Sequence, residues 1–137
     1  MTASMLPVRN PRTGEYDYEM PVTSADDIQS IAAGLRAAQM QWSALGVEGR
    51  AEVLNRFADS VTTELGPLAQ TLSVDTGRTT FAHFEAMKSV ELIRMWAERA
   101  GPILQDLAGS GQSGQVPAVH YQHRLIPYQM VAVISPW

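Results

Sequence analysis

The chain has 137 residues, enough for one domain with a real core, and with 45% hydrophobic and 18% charged residues its composition is that of a globular protein. Net charge is −4 at pH 7 and the ten Lys and Arg are scattered, which excludes the clustered basic footprint that nucleic-acid binding requires. There is no cysteine, so disulfides, thiolate metal sites and cysteine nucleophiles are excluded from this chain, while the redox compartment is left open.

Met1 to Pro7 lacks the charged head and apolar stretch of a signal peptide. No apolar run approaches the ~20 residues of a membrane span. A cytoplasmic protein that does not meet a membrane is the expectation. Val8 to Glu15 is turn chemistry, because Asn10-Pro11 opens a turn and Gly14 can take the positive φ that closes it. Tyr16, Tyr18 and Met20 alternate with Asp17 and Glu19, which predicts a short half-buried strand ending at Pro21 and hence a small hairpin.

Ser24, with Asp27 three residues on, predicts a capped helix start, and Asp26 suits the dipole of the first turn. Ile28, Ile31, Ala32, Leu35, Ala38 and Trp42 share one face, so Ala25 to Trp42 reads as an amphipathic helix, weakened at Gly34 unless close packing explains that glycine. A second helix is predicted from Val47 to Leu65, with Gly66 ending it. Pro67 then opens a third over Leu68 to Val74, stopped near Gly77. Thr79 or Thr80 could cap a fourth over Phe81 to Ala100, broken by Gly101-Pro102. Trp42, Phe57, Phe84, Met87 and Trp96 are the expected core.

Gly109 to Gly114 reads as a flexible loop, and Val119 to Leu125 as an extended strand. Met130 to Ile134 is an unbroken apolar run, the pattern of a strand buried on both faces, stopped by Ser135-Pro136. No partner strands follow it, so the sheet it implies is unfinished.

From residue chemistry alone no catalytic constellation is complete. His120 and His123 point to opposite faces of an extended chain, with no nearby Cys, Asp or Glu to complete a metal set. Asp26-Asp27 is explained by its place at a helix start. No Gly-x-Ser-x-Gly elbow surrounds a serine, and the glycine-rich loop lacks the Lys-Ser/Thr and helix of a phosphate cradle. No catalytic residue and no metal ligand is assigned.

Two stretches nevertheless resemble, in order and spacing, the N-terminal portion of the aldehyde dehydrogenase superfamily: Asn10-Pro11-Arg12-Thr13-Gly14-Glu15 and Val133-Ile134-Ser135-Pro136-Trp137. Between them, the helix from Asp27 to Trp42-Ser43 and that over Arg50 to Phe57 look like the family's first two. Asp75-Thr76-Gly77-Arg78 resembles its Glu-Thr-Gly-Lys turn. Gln129 departs from the family, which usually has Gly there.

The resemblance implies an α/β Rossmann-like fold for the family, with this chain mostly helical: four helices, an N-terminal β-hairpin and C-terminal strands. Residues 118–127 would form an oligomerisation arm, and 129–137 the first strand of the dinucleotide-binding sheet. By position, Ile134, Ser135, Pro136 and Trp137 would line NAD or NADP. In some members the acid matching Asp75, with carbonyls near Val8 and Arg9, holds a monovalent cation. The nucleophilic Cys and general-base Glu would lie beyond Trp137, so the chain alone should be inactive and bind NAD(P) weakly or not at all. The expected function is therefore that of an N-terminal fragment of an NAD(P)-dependent aldehyde dehydrogenase. The alternative is a non-catalytic helical interaction or oligomerisation module. The expected partners are further copies of the chain, through oligomerisation or strand swapping, and an aldehyde only in the complete enzyme.

Overall fold

The structure is a computed structural model and describes residues 4–114, 117 and 119–135. In chain order it consists of β1 (Met5–Arg9), β2 (Tyr16–Pro21), α1 (Ala25–Ala44), α2 (Gly46–Thr63), α3 (Leu65–Thr76), α4 (Phe81–Leu107), β3 (Gly109–Gln112) and β4 (His120–His123). The architecture is mostly helical, with a two-stranded antiparallel hairpin near each end. No described helix is long and apolar enough to cross a membrane.

β1 and β2 pair from Met5↔Pro21 to Val8↔Tyr18, with a bulge before Arg9↔Tyr16. Gly14 closes the connection at φ 80. The half-burial expected of Tyr16, Tyr18 and Met20 is corrected: every residue of β2 is exposed, because the hairpin has no layer packed over it.

The helix boundaries follow local chemistry. The Ser24 hydroxyl accepts from the Asp27 backbone N–H at 3.1 Å and donates to the Asp27 carboxylate at 2.6 Å, capping α1. α1 and α2 are separated only by Leu45, and Gly46 turns the chain at φ 68. Gly66 does not end α2. The helix stops at Thr63, and Gly66 and Pro67 lie in the first turn of α3, where a missing proline N–H costs nothing. Gly77 ends α3 in the left-handed conformation. Neither threonine proposed as the α4 cap serves, since Thr80 occupies that place without a side-chain bond.

α4 runs unbroken through Gly101-Pro102 to Leu107, against the expectation of a break. Its packing on α2 continues past the proline: Leu104 and Ala100 share a crevice with Val47 and Leu54, and a Cβ on Gly101 would lie 3.6 Å from Val47 Cγ1. Tertiary contact here outweighs the lost backbone bond.

The core lies along α4, where it meets α2 and α3. It is made of small residues: Ala58, Ala69, Ala82, Ala86, Val90 and Ala97. The large side chains expected inside are outside instead, with Phe57 54%, Phe84 47%, Trp96 55% and Trp42 40% exposed. Alanines let helix axes approach closely, and a single layer of helices leaves bulky residues on its open faces. α1 buries no residue, although its apolar stripe is intact, and Gly34 meets nothing within 4 Å.

Gly109–Gln112 is not a loop but a strand, paired with β4 from Gly109↔His123 to Gln112↔His120. The partners explain it. A Cβ at Gly109 would stand 2.9 Å from His123 Cε1, and one at Gly111 2.5 Å from the Tyr121 hydroxyl, so each glycine is roofed by a cross-strand ring. The terminal run behaves differently. Its end takes no partner strand among the described residues and stays in solvent, with Val133 83% and Ile134 95% exposed. A strand buried on both faces needs strands beside it and helices over it, and these residues have neither.

Candidate functional site

The two sequence turns of the resemblance meet in space. Asn10, buried, anchors the first: its side-chain oxygen accepts from the Arg12 and Thr13 backbone N–H groups at 2.9 and 3.4 Å, and its own N–H donates to the Glu15 carbonyl at 2.8 Å. Arg9 Nε donates to the Gly14 carbonyl at 2.9 Å, bracing the same loop. The second turn, Asp75 to Arg78, lies against it. A Cβ on Gly77 would come 3.1 Å from Pro11 Cγ and 3.4 Å from Arg12 Cγ, so only glycine fits both the φ of 72 and this approach. Thr76 Oγ1 accepts from the Arg78 N–H, and Arg78 pairs with Glu85 at 2.5 Å, tying the turn to α4.

A second link joins the same elements. The Tyr18 hydroxyl of β2 donates to the Asp75 carboxylate at 3.0 Å, across 57 residues of sequence. That bond, then burial, then the charges of Asp75 and Asp17, push the Tyr18 phenol above its ordinary 10.0. Asp75, which the resemblance aligns with an acid that holds a monovalent cation in some members, is thus engaged by a neutral donor. Among the described residues no group of three His, Cys, Asp or Glu comes together. His83 lies on α4, far in sequence from the pair on β4, and the His123 ring covers Gly109.

The chain as a whole matches the aldehyde dehydrogenase family model over residues 1–137. It belongs to the aldehyde dehydrogenase family. It is 32% identical to 2-aminomuconic semialdehyde dehydrogenase of Bos taurus, with 98% of this chain and 27% of that protein covered. N-succinylglutamate 5-semialdehyde dehydrogenase of Burkholderia cenocepacia (strain HI2424) is 31% identical, over 94% of this chain and 26% of its own length. A solved structure from Anabaena variabilis, designated aldehyde dehydrogenase PutA, superposes with a TM-score of 0.77 at 28% identity, covering 91% of this chain and 26% of that one. The chain therefore spans about a quarter of the length of the relatives it matches.

The residues that the resemblance assigns to the coenzyme are at the other end of the chain. Gln129 to Val131 run along α1, where Met130 shares a groove of ≈ 360 Å³ with Leu35, Ala38 and Trp42. Beyond it the chain leaves the helices. Ile134 is 95% exposed and Ser135 is exposed as well, while Pro136 and Trp137 lie outside the described residues. Among the described residues, Ile134 and Ser135 make no hydrogen bond to the Asp75 turn. Sequence reasoning missed Tyr18 as the partner of Asp75, and no local pattern announces a bond made by a lone exposed tyrosine.

Proposed function

We propose that this chain supplies the N-terminal portion of an NAD(P)-dependent aldehyde dehydrogenase, an oxidoreductase converting an aldehyde to a carboxylic acid. The observation that carries the reading is the family match along all 137 residues. The contact of the Asn10 and Asp75 turns, two motifs of the resemblance, supports it. In this reading residues 129–137 become the first strand of the dinucleotide-binding sheet, and Ile134, Ser135, Pro136 and Trp137 form one wall of the coenzyme site. Residues 118–127 act as an oligomerisation arm, and the setting is cytoplasmic.

The residues described here do not form that site by themselves. An isoleucine 95% exposed and an exposed serine enclose nothing, so a dinucleotide meets at most an edge. The reaction also needs a nucleophile to hold the aldehyde while hydride leaves it, and a chain without cysteine offers no thiolate. The 137 residues thus contribute scaffold and one edge of a binding site, with catalysis residing elsewhere in the enzyme.

The test is to read the coding frame past Trp137 and assay the encoded protein for aldehyde-dependent reduction of NAD+ or NADP+. A long α/β continuation containing a cysteine, with activity lost when that cysteine becomes serine, is the expected result. A stop codon directly after Trp137 would defeat the reading in favour of a non-catalytic interaction module.

A further inference from the structure

Of the ten Lys and Arg, only Arg50 and Arg78 are half-buried, and Arg78 has Glu85. Arg50, in α2, makes no ion pair or side-chain hydrogen bond among the described residues, yet it lines three adjoining crevices. Arg50 is half-buried as a residue and lines an apolar wall with no counter-charge among the described residues, an arrangement that favours an anion beside it. The largest of the three crevices, ≈ 490 Å³, has a second arginine in its wall: Arg124, in the segment after β4, likewise unpaired among the described residues. No acidic residue lines it. The remaining wall is apolar and aromatic, including Val47, Leu104, Ile126 and Tyr128.

From this geometry we infer that the crevice between the α2–α4 pair and residues 124–128 binds a small amphipathic carboxylate, with Arg50 and Arg124 taking the carboxyl group and the apolar wall its tail. Two arginines in an otherwise apolar wall suit a carboxylate on a hydrocarbon stem better than a neutral analogue, which gains no charge-assisted bond from either. The volume suits a small ligand. The inference does not depend on the catalytic reading, since neither arginine lies in the expected coenzyme wall.

The experiment titrates the chain with octanoate and with octanol by calorimetry and by chemical-shift perturbation. Saturable octanoate binding is expected, with octanol weaker by about tenfold, the size of a charge-assisted bond. Arg124→Met and Arg50→Met should each erase most of that preference while circular dichroism stays unchanged. Arg124 is exposed, so its variant reports even if loss of Arg50 unfolds the chain. Equal binding of the two probes, or a preference surviving in folded Arg124→Met, overturns the assignment. So does octanoate that fails to saturate the monomer and only dissolves a concentration-dependent self-association, which would make the carboxylate a protein side chain.

Discussion

At the scale of single residues, Tyr18 is the informative one. Its hydroxyl donates to Asp75, and because the neutral phenol is the form that donates, the folded state raises the phenol above 10.0. A raised acid contributes its stabilisation in full below pH 10.0 and loses it as the pH climbs through the higher folded value. Asp75→Asn should return the phenol towards its ordinary range. Ultraviolet titration, with Tyr18→Phe subtracted to isolate one of four tyrosines, reads this directly. An identical curve with and without Asp75 would sink the claim. The local signals at this scale were clear in the sequence wherever chemistry was local: Ser24 as cap, and Gly14 and Gly77 at positive φ. The Tyr18–Asp75 bond and the Arg50 crevice were not, because each depends on which distant element arrives beside it.

Elements were legible as types and misread at their joints. All four helices sit within a few residues of their hydrophobic stripes, yet the glycine-proline pair in α4 reads as a stop and is not one. Pro102 removes the bond its N–H would give to the Glu98 carbonyl. Pro102→Ala restores that donor and is expected to stabilise the chain by about 1–2 kcal/mol after the freer unfolded state is counted, as measured by urea unfolding. Unchanged or lowered stability would mean α4 is not continuous there. The α3–α4 contact makes the opposite prediction. Ala86 is 2% exposed, so Ala86→Leu should cost about 1–3 kcal/mol by overpacking, whereas the same change at exposed Ala37 should be near neutral. The stripe pattern pointed to the large residues as core, since periodicity reports which face is apolar but not which part of that face meets a neighbour.

For the whole molecule, the family and helical class were readable because motifs in fixed order survive where packing detail does not. The fate of the last residues was not, since a buried strand is a property of its neighbours. With Val133 and Ile134 in solvent and no ladder formed among the described residues, we propose that this run pairs with another copy of the chain. Light scattering after size exclusion should show mass rising with concentration, and Ile134→Lys should restore the monomer. A wild-type chain that stays monomeric at high concentration rules the pairing out.

The alanine seam has a thermodynamic consequence. A core built from methyl groups, with phenylalanine and tryptophan rings left in water, withdraws little apolar surface on folding. Heat capacity and denaturant sensitivity both scale with that surface. Scanning calorimetry should therefore give a heat-capacity increment well below the ~12–15 cal/mol/K per residue of ordinary domains. The stability curve should be correspondingly flat, changing little between cold and warm. A chain with this curve melts broadly, and what narrows its transition is whatever comes to cover those rings.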